Sequence, residues 1–443
     1  MQNNMTDKHA SGDESSDMKH TIVPRAPRTQ EETGLPFLLI FELLVKVIFL
    51  RGQIRLVDIC SHIKLSVSVL DSALVFMRSE HLCEVTRRGG SGTDVDITYN
   101  LTDLGRVRAT EYIRRNSYAG PAPVTLASYC LQIKAQSHVG MHISRDEMIH
   151  EFSDVVVKHS VLDQLGAAMN SGRAMFVHGP AGSGKTYLAE RLAGLLKGSI
   201  WVPHAIFVDN EVVQIYDPGV HKVINDSAQL NHAFDKRMQI DDRWIQCVRP
   251  AVLMGGELSL DMLDLQFDAG TRFYQAPPHL KANNGIFIID DLGRQRCSSV
   301  ELMNRWIVPM DRRIDYLTLH TGYKFLVPFD VIVVFSANFP PEQLADSALL
   351  RRIGYKIHVG ELSEMQYERI FRNVCEELEL VFVNSAFQYL LQEHHYKENR
   401  SLLACYPRDI LSQVKDIALY EGKKPILEEQ TLKWAWNNYF IGA

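Results

Sequence analysis

The 443-residue sequence predicts an α/β protein: a parallel-sheet core over residues 151–360, preceded by a unit of helices with a β-hairpin and followed by a helical unit. Three observations carry this. The run "AMFVHG" (174–179) reads as a short apolar strand that passes through a glycine loop into a helix bearing Leu188, Leu192, Leu195 and Leu196. Two further runs, "GIFIIDDL" (285–292) and "VIVVFSAN" (331–338), are apolar without alternation, as strands covered on both faces of a parallel sheet must be. The length also exceeds what one hydrophobic core supports, so several units are expected.

Taken in order, residues 1–33 are polar and mixed in charge and read as a disordered tail; they lack the basic-then-apolar order of a signal peptide. The window "LPFLLIFELLVKVIFL" (35–50) is too short for a comfortable membrane span. Glu42 and Lys46 stand four apart in it, as a surface ion pair on a helix would, so a buried helix is predicted rather than a span. Leu56, Ile59, Ile63 and Leu65 mark a second helix, and Val67, Leu70, Leu74 and Met77 a third. "CEVTRRGGSGTDVDITYNL" then gives two strands around a Gly-Ser-Gly turn, and "TDLGRVRATEYIRRN" a closing helix capped by Thr102 or Asp103. In that order these elements, residues 34–118, resemble a winged helix-turn-helix domain.

The Pro- and Gly-rich stretch that follows makes residues 119–150 a linker. Within the core, 106 residues separate Gly184 from Asp290, which leaves an insertion over about 198–284. It includes a hairpin, "AIFVDNEVVQIY", turning at Asp209-Asn210. Residues 361–443 are helical, opening on a Ser363/Gln366 capping box with Tyr367, Ile370, Phe371 and Val374 on one face.

With 46% hydrophobic and 23% charged residues the composition is that of an ordinary globular chain, and a net charge of −6 exerts no global pull on nucleic acid. The seven scattered cysteines, without a Cys-x-x-Cys pair, predict a reducing, cytoplasmic compartment and no structural zinc.

"GPAGSGKT" (Gly179, Pro180, Ala181, Gly182, Ser183, Gly184, Lys185, Thr186) matches the phosphate-binding pattern G-x-x-x-x-G-K-[ST], between a strand and a helix as that pattern requires. Glycines let the loop turn its backbone N–H groups inward, Lys185 brings a point charge to the outer phosphates, and Thr186 offers a hydroxyl to Mg²⁺. Asp290, at the end of an apolar strand, is the expected carboxylate on the magnesium side. A glycine turn alone explains neither Lys185 nor Thr186. Asn338 ends the next buried strand, where an Asn is ordinarily a turn former but here stands near the expected γ-phosphate. Arg351 and Arg352 follow in "ALLRRIGYKI", and Arg408 in "CYPRDIL".

This order of phosphate loop, acidic strand, Asn-ended strand, paired arginines and helical C-terminal unit resembles the AAA+ ATPase superfamily, over roughly residues 150–443. The resemblance implies that Asn338 senses and orients at the γ-phosphate and that Arg408 does so from a helical lid. It also implies that Arg352, with Arg351 as the alternative, reaches a neighbouring subunit's site in a homo-oligomeric ring, a hexamer. The implied cofactors are ATP and Mg²⁺, and the implied activity is ATP-driven remodelling of a protein or protein–DNA partner.

Two departures from the family pattern stand out. The insertion ends in "PPHLKANNGIFIIDD", similar to the lead-in of magnesium chelatases and bacterial enhancer-binding activators, whose inserts touch substrate. Arg272, Phe273 and Tyr274 are thus candidate substrate contacts, against the plainer reading of packed aromatics. Second, Asp291 stands where family ATPases commonly carry a glutamate general base. One methylene less shortens its reach to water, so slow hydrolysis is expected, and with it the alternative of a nucleotide-gated DNA-binding regulator. Arg294, Gln295 and Arg296 just beyond read as a solvated turn or a subunit boundary. For the N-terminal unit DNA binding and protein docking both stay open: residues 34–118 carry 11 Lys and Arg against 9 Asp and Glu. The candidate reading helix exposes Ser66, Ser68, Asp71 and Ser72, while Arg87, Arg88, Arg106, Arg108, Arg114 and Arg115 could meet phosphates.

Overall fold

The computed structural model describes residues 23–87, 97–224, 240–344 and 347–440. Most of the expected N-terminal tail, the hairpin tip with Arg88, and the side chain of Arg87 lie outside the described residues.

Five parallel strands form the central sheet, in the order Ala251–Met254, Ile286–Ile289, Ile332–Ala337, Met175–His178, Tyr355–His358. The three middle strands are apolar except for Ser336 and the terminal His178, because both faces are covered. Alternation divides their side chains: Val177, Ile288 and Val334 join Leu165 and Leu188 in one core. Phe176, Phe287 and Phe335 join Trp306 in the other. Because the strands are parallel, the glycine loop, Asp290 and Asn338 all leave the sheet at its carboxyl end. The Asn338 strand lies between the loop strand and the acidic strand, which brings the three together.

The N-terminal unit runs helix Phe37–Arg51, strand Ile54–Arg55, helices Leu56–Ile63 and Val67–Ser79, strands Cys83–Arg87 and Thr98–Leu101, and helix Asp103–Arg115. Its strands form an antiparallel sheet with Thr98–Leu101 in the middle. The closing helix is capped by Thr102, whose hydroxyl accepts from Gly105 N. Gly105 is required there: a Cβ would stand 2.0 Å from the Leu82 carbonyl oxygen. The apolar window is a buried helix, with Ile40, Phe41, Leu44, Val45 and Ile48 in the core. The expected Glu42–Lys46 surface pair does not form. Lys46 is only 4% exposed and donates to the Asn116 carbonyl at 3.1 Å, whereas Glu42 pairs with Arg115 at 2.6 Å. The closing helix packs across this face and supplies each group with a different partner.

Residues 119–150 depart from the expectation of a linker. Val124–Thr125 pairs in parallel with Ile206–Phe207. The helix Leu126–Ala135 that follows buries Tyr129 and Ile133 against Trp201, Ile206 and Trp244 of the insertion, and a second helix spans Arg145–Glu151. Within the insertion, Ala205–Val208 and Glu211–Gln214 form the expected hairpin. Asp209 and Asn210 both take left-handed φ, 47° and 63°, as a two-residue turn between twisted strands demands. Period-two alternation sends Ile206 and Val213 to the insertion core, and Ala205 and Val212 into the core of the N-terminal unit.

Of the candidate substrate contacts, Phe273 packs at this junction, Tyr274 belongs to the insertion core, and Arg272 is exposed but tied to the N-terminal unit. Tyr274 is buried, the Phe273 ring lies 5.5 Å from that of Tyr118, and Arg272 donates to the Arg114 carbonyl at 2.7 Å.

The C-terminal unit comprises helix Glu364–Glu377 with its Ser363/Gln366 capping box, helix Asn384–Tyr389 continuing into a π-helical stretch Leu390–Tyr396, and helices Tyr406–Tyr420 and Glu429–Tyr439. Among the described residues no single helix is long and apolar enough to cross a membrane, and none of the seven cysteines is in a disulfide.

Candidate functional site

The glycine loop is shaped by what presses on it. At Gly179 a Cβ would stand 2.0 Å from the Val359 carbonyl oxygen. At Gly182, with φ +82°, it would stand 2.3 Å from Cys405 Sγ, and Cys405 N donates to the Gly182 carbonyl. The loop is therefore clasped between the edge strand and the first turn of the helix that carries Arg408.

The helix beginning at Lys185 turns its first side chains inward. Lys185 is 6% exposed, and its ammonium donates to the carbonyls of Gly179 (3.1 Å) and Pro180 (2.9 Å) and to Asn338 Oδ1 (2.8 Å). Burial lowers its pKa, while the charges of Asp290 and Asp291 act in the opposite sense. Asn338 Nδ2 in turn donates to Asp291 Oδ1 at 2.7 Å, so the amide bridges ammonium and carboxylate. Thr186 Oγ1 donates to Asp290 Oδ2 at 2.8 Å. That pair of hard oxygens suits a divalent cation which keeps most of its shell as water and phosphate, as magnesium does.

Asp291 is held at φ +49°, a conformation Asp tolerates better than most residues. Gln295 fixes the turn: its Nε2 donates to the carbonyls of Asp290 (2.7 Å) and Asp291 (3.3 Å), and its Oε1 accepts from Gly293 N. Neither reading of residues 294–296 from the sequence, solvated turn or subunit boundary, includes this role. Arg294 lines the same space, with a guanidinium nitrogen 4.0 Å from Asp291 Oδ2.

Ala181 to Thr186, Asp290, Asp291, Asn338 and Arg408 line one cavity of about 770 Å³. Gly179 supports the loop from behind, and Pro180 faces a neighbouring cleft. One wall is the apolar run Val155–Val157, and the roof is Ile370 and Val374 of the C-terminal unit. Arg408 enters from the same unit, with both terminal nitrogens on the Glu377 carboxylate at 2.9 and 2.5 Å. Neither the wall nor Glu377 carries a local sequence signal, since each acts across the fold.

Arg351 and Arg352 are not brought to this cavity. With Arg173 and Arg313 they line a separate cleft of about 620 Å³ near the amino ends of the strands, where Arg352 Nε donates to Asp311 at 2.9 Å.

Residues 363–438 match a family model described as a domain of unknown function, DUF8689. No curated protein matches the chain. Among solved structures, an ADP complex of NtrX from Brucella abortus is similar at 13% identity and a TM-score of 0.41, covering 76% of this chain and 67% of that one. A second NtrX structure gives 12% and 0.39, covering 69% of this chain, which spans 57% of that chain's length. The RuvB Holliday junction branch migration motor of Thermotoga maritima gives 12% and 0.36, covering 64% and 70%. At these scores the likeness assigns no family.

Proposed function

We propose that the chain is a Mg–ATP-binding ATPase of the AAA+ type that assembles into a ring, a hexamer, and uses slow hydrolysis to remodel a protein or protein–DNA partner. One observation carries the reading: the unbroken chain Lys185–Asn338–Asp291, beside the Thr186–Asp290 pair, at the floor of a cavity roofed by an arginine-bearing helical unit. A structural loop would not need an ammonium, two carboxylates and an amide converging from three strand ends.

Lys185 exchanges the Asn338 and carbonyl contacts for phosphate oxygens. Asp291, oriented by Asn338 and by the Gln295 clamp, takes the proton of the attacking water. Its short side chain and pinned backbone leave it little room to approach, consistent with slow turnover. Magnesium, held by Thr186 and Asp290, would neutralise charge developing on the phosphates. Arg352, remote from its own chain's cavity and paired there with Asp311, completes a neighbour's site in this reading, with Arg351 beside it.

For the N-terminal unit we favour docking and assembly over DNA reading. Helices Leu56–Ile63 and Val67–Ser79 bend by 117° at a three-residue break, within the helix-turn-helix range. Yet Ser66 and Ser68 bond each other, and Ser68 donates to the Arg28 carbonyl. The helix offers no cation in that turn, and the unit shares its core with the insertion. The second reading, a nucleotide-gated DNA-binding regulator, remains the competitor because Asp291 favours a switch.

The test is ATP turnover per subunit across protein concentrations that span assembly. Turnover should rise with concentration and fall in Arg352→Ala. A flat profile, or an unaffected Arg352→Ala, removes the inter-subunit site. Salt-dependent duplex binding by the full chain, gained with ATP and retained in Asp291→Ala, would select the regulator instead.

A further inference from the structure

Arg408 and Glu377 both line the nucleotide cavity, and both come from its roof: Glu377 ends the helix Glu364–Glu377, and Arg408 lies in the first turn of Tyr406–Tyr420. Their contact is a fork-to-fork ion pair, the arrangement a guanidinium also makes with a phosphate. The pairing raises the Arg408 pKa and lowers that of Glu377. Arg408 stands three residues from Cys405, whose backbone donates to the phosphate loop at Gly182. The cation that the roof contributes to the cavity is thus already occupied by a carboxylate. Both side chains are more than half exposed, so the pair is weak enough to be exchanged.

Building on the proposed ATP site, we infer that Glu377 is a displaceable stand-in for the terminal phosphate. It holds Arg408 in the empty cavity and yields it when a triphosphate enters, and so sets how strongly the site prefers ATP to ADP. ADP, one phosphate shorter, has less to offer Arg408 and leaves the pair intact.

Calorimetric titration of the full chain with Mg–ATP and Mg–ADP tests this in wild type, Glu377→Gln, Arg408→Ala and the double variant. Glu377→Gln should bind ATP about two- to fivefold more tightly, the range open to an exposed ion pair, and ADP about the same as wild type. In the Arg408→Ala background the substitution should have no effect. Equal tightening in both backgrounds would mean that Glu377 acts only through its own negative charge, and the inference would fall. Weaker ATP binding by Glu377→Gln would overturn it too, by making Glu377 a support that aims Arg408. Undiminished ATP binding by Lys185→Ala would instead sink the nucleotide site itself, a result separable from either.

Discussion

The cavity beneath the C-terminal unit and the N-terminal unit both carry charged groups, but the partners of those groups differ in kind. In the cavity Lys185, Asn338 and Asp291 bond in a chain and Asp290 accepts from Thr186, an arrangement that an entering ligand can take apart and rebuild. In the N-terminal unit three of the charged groups are paired within the unit itself: Lys46 on the Asn116 carbonyl, Arg115 on Glu42 and, at the surface, Arg108 on Glu111. Arg272 reaches into the unit from the insertion in the same way, to the Arg114 carbonyl. A basic residue on a helix therefore says little about ligand binding until its partner is known.

Substitution of Lys185 gives the largest expected contrast. Lys185→Ala should weaken ATP binding by about 100-fold or more, the weight of its charge-assisted bonds to phosphate. Arg106→Ala on the N-terminal unit should leave ATP affinity within about twofold, the scale of an exposed charge. Comparable losses from the two would erase the distinction between the regions.

Asp291→Asn sharpens the cavity side. Asparagine tolerates the left-handed backbone and keeps the contact with Asn338, so ATP affinity should stay within about threefold while turnover falls by about 100-fold, the usual worth of a general base. Unchanged turnover would move the proton transfer to another group. On the N-terminal side, Gly105→Ala should destabilise the fold by roughly 1–3 kcal/mol, as a Cβ forced against the Leu82 carbonyl must shift the closing helix. Its effect on ATP affinity should be negligible, which a paired unfolding and binding measurement would reveal.

What was legible in the sequence follows from the range of the interactions. The central strands could be read because burial on both faces leaves a continuous apolar run, and the phosphate loop because its chemistry is local and its spacing fixed. The Asp209-Asn210 turn was legible for the same reason: the two-residue turn is specified by the two residues themselves. The pairing of Glu377 with Arg408 crosses 31 residues, that of Lys46 with Asn116 crosses 70, and that of Arg272 with Arg114 crosses 158, and no local pattern encodes them. The linker expectation failed similarly. Pro and Gly at 117–123 mark a loop correctly, but only the distant strand Ile206–Phe207 and the insertion core decide that structure resumes at Val124.

The pH dependence of stability bears on whether the N-terminal unit is as firmly packed as its contacts imply. Burial lowers the Lys46 pKa to about 8, against the raising effect of Glu42, with Arg115 adding to the lowering. Below pH 8 the amine is charged in folded and unfolded chains alike, and above about 10.5 it is neutral in both. Between the two the unfolded chain binds more protons, so this residue makes stability rise with pH. Buried thiols such as Cys83, raised to about 11 by desolvation, act in the opposite sense over an overlapping range. The quantity to read is therefore the difference between wild type and Lys46→Met in urea unfolding at pH 7, 8, 9 and 10. Wild type should gain on the variant by on the order of 1–2 kcal/mol across that interval. A difference that stays constant with pH would mean that water reaches Lys46, and that the helix Phe37–Arg51 opens away from Asn116 and the junction beyond it.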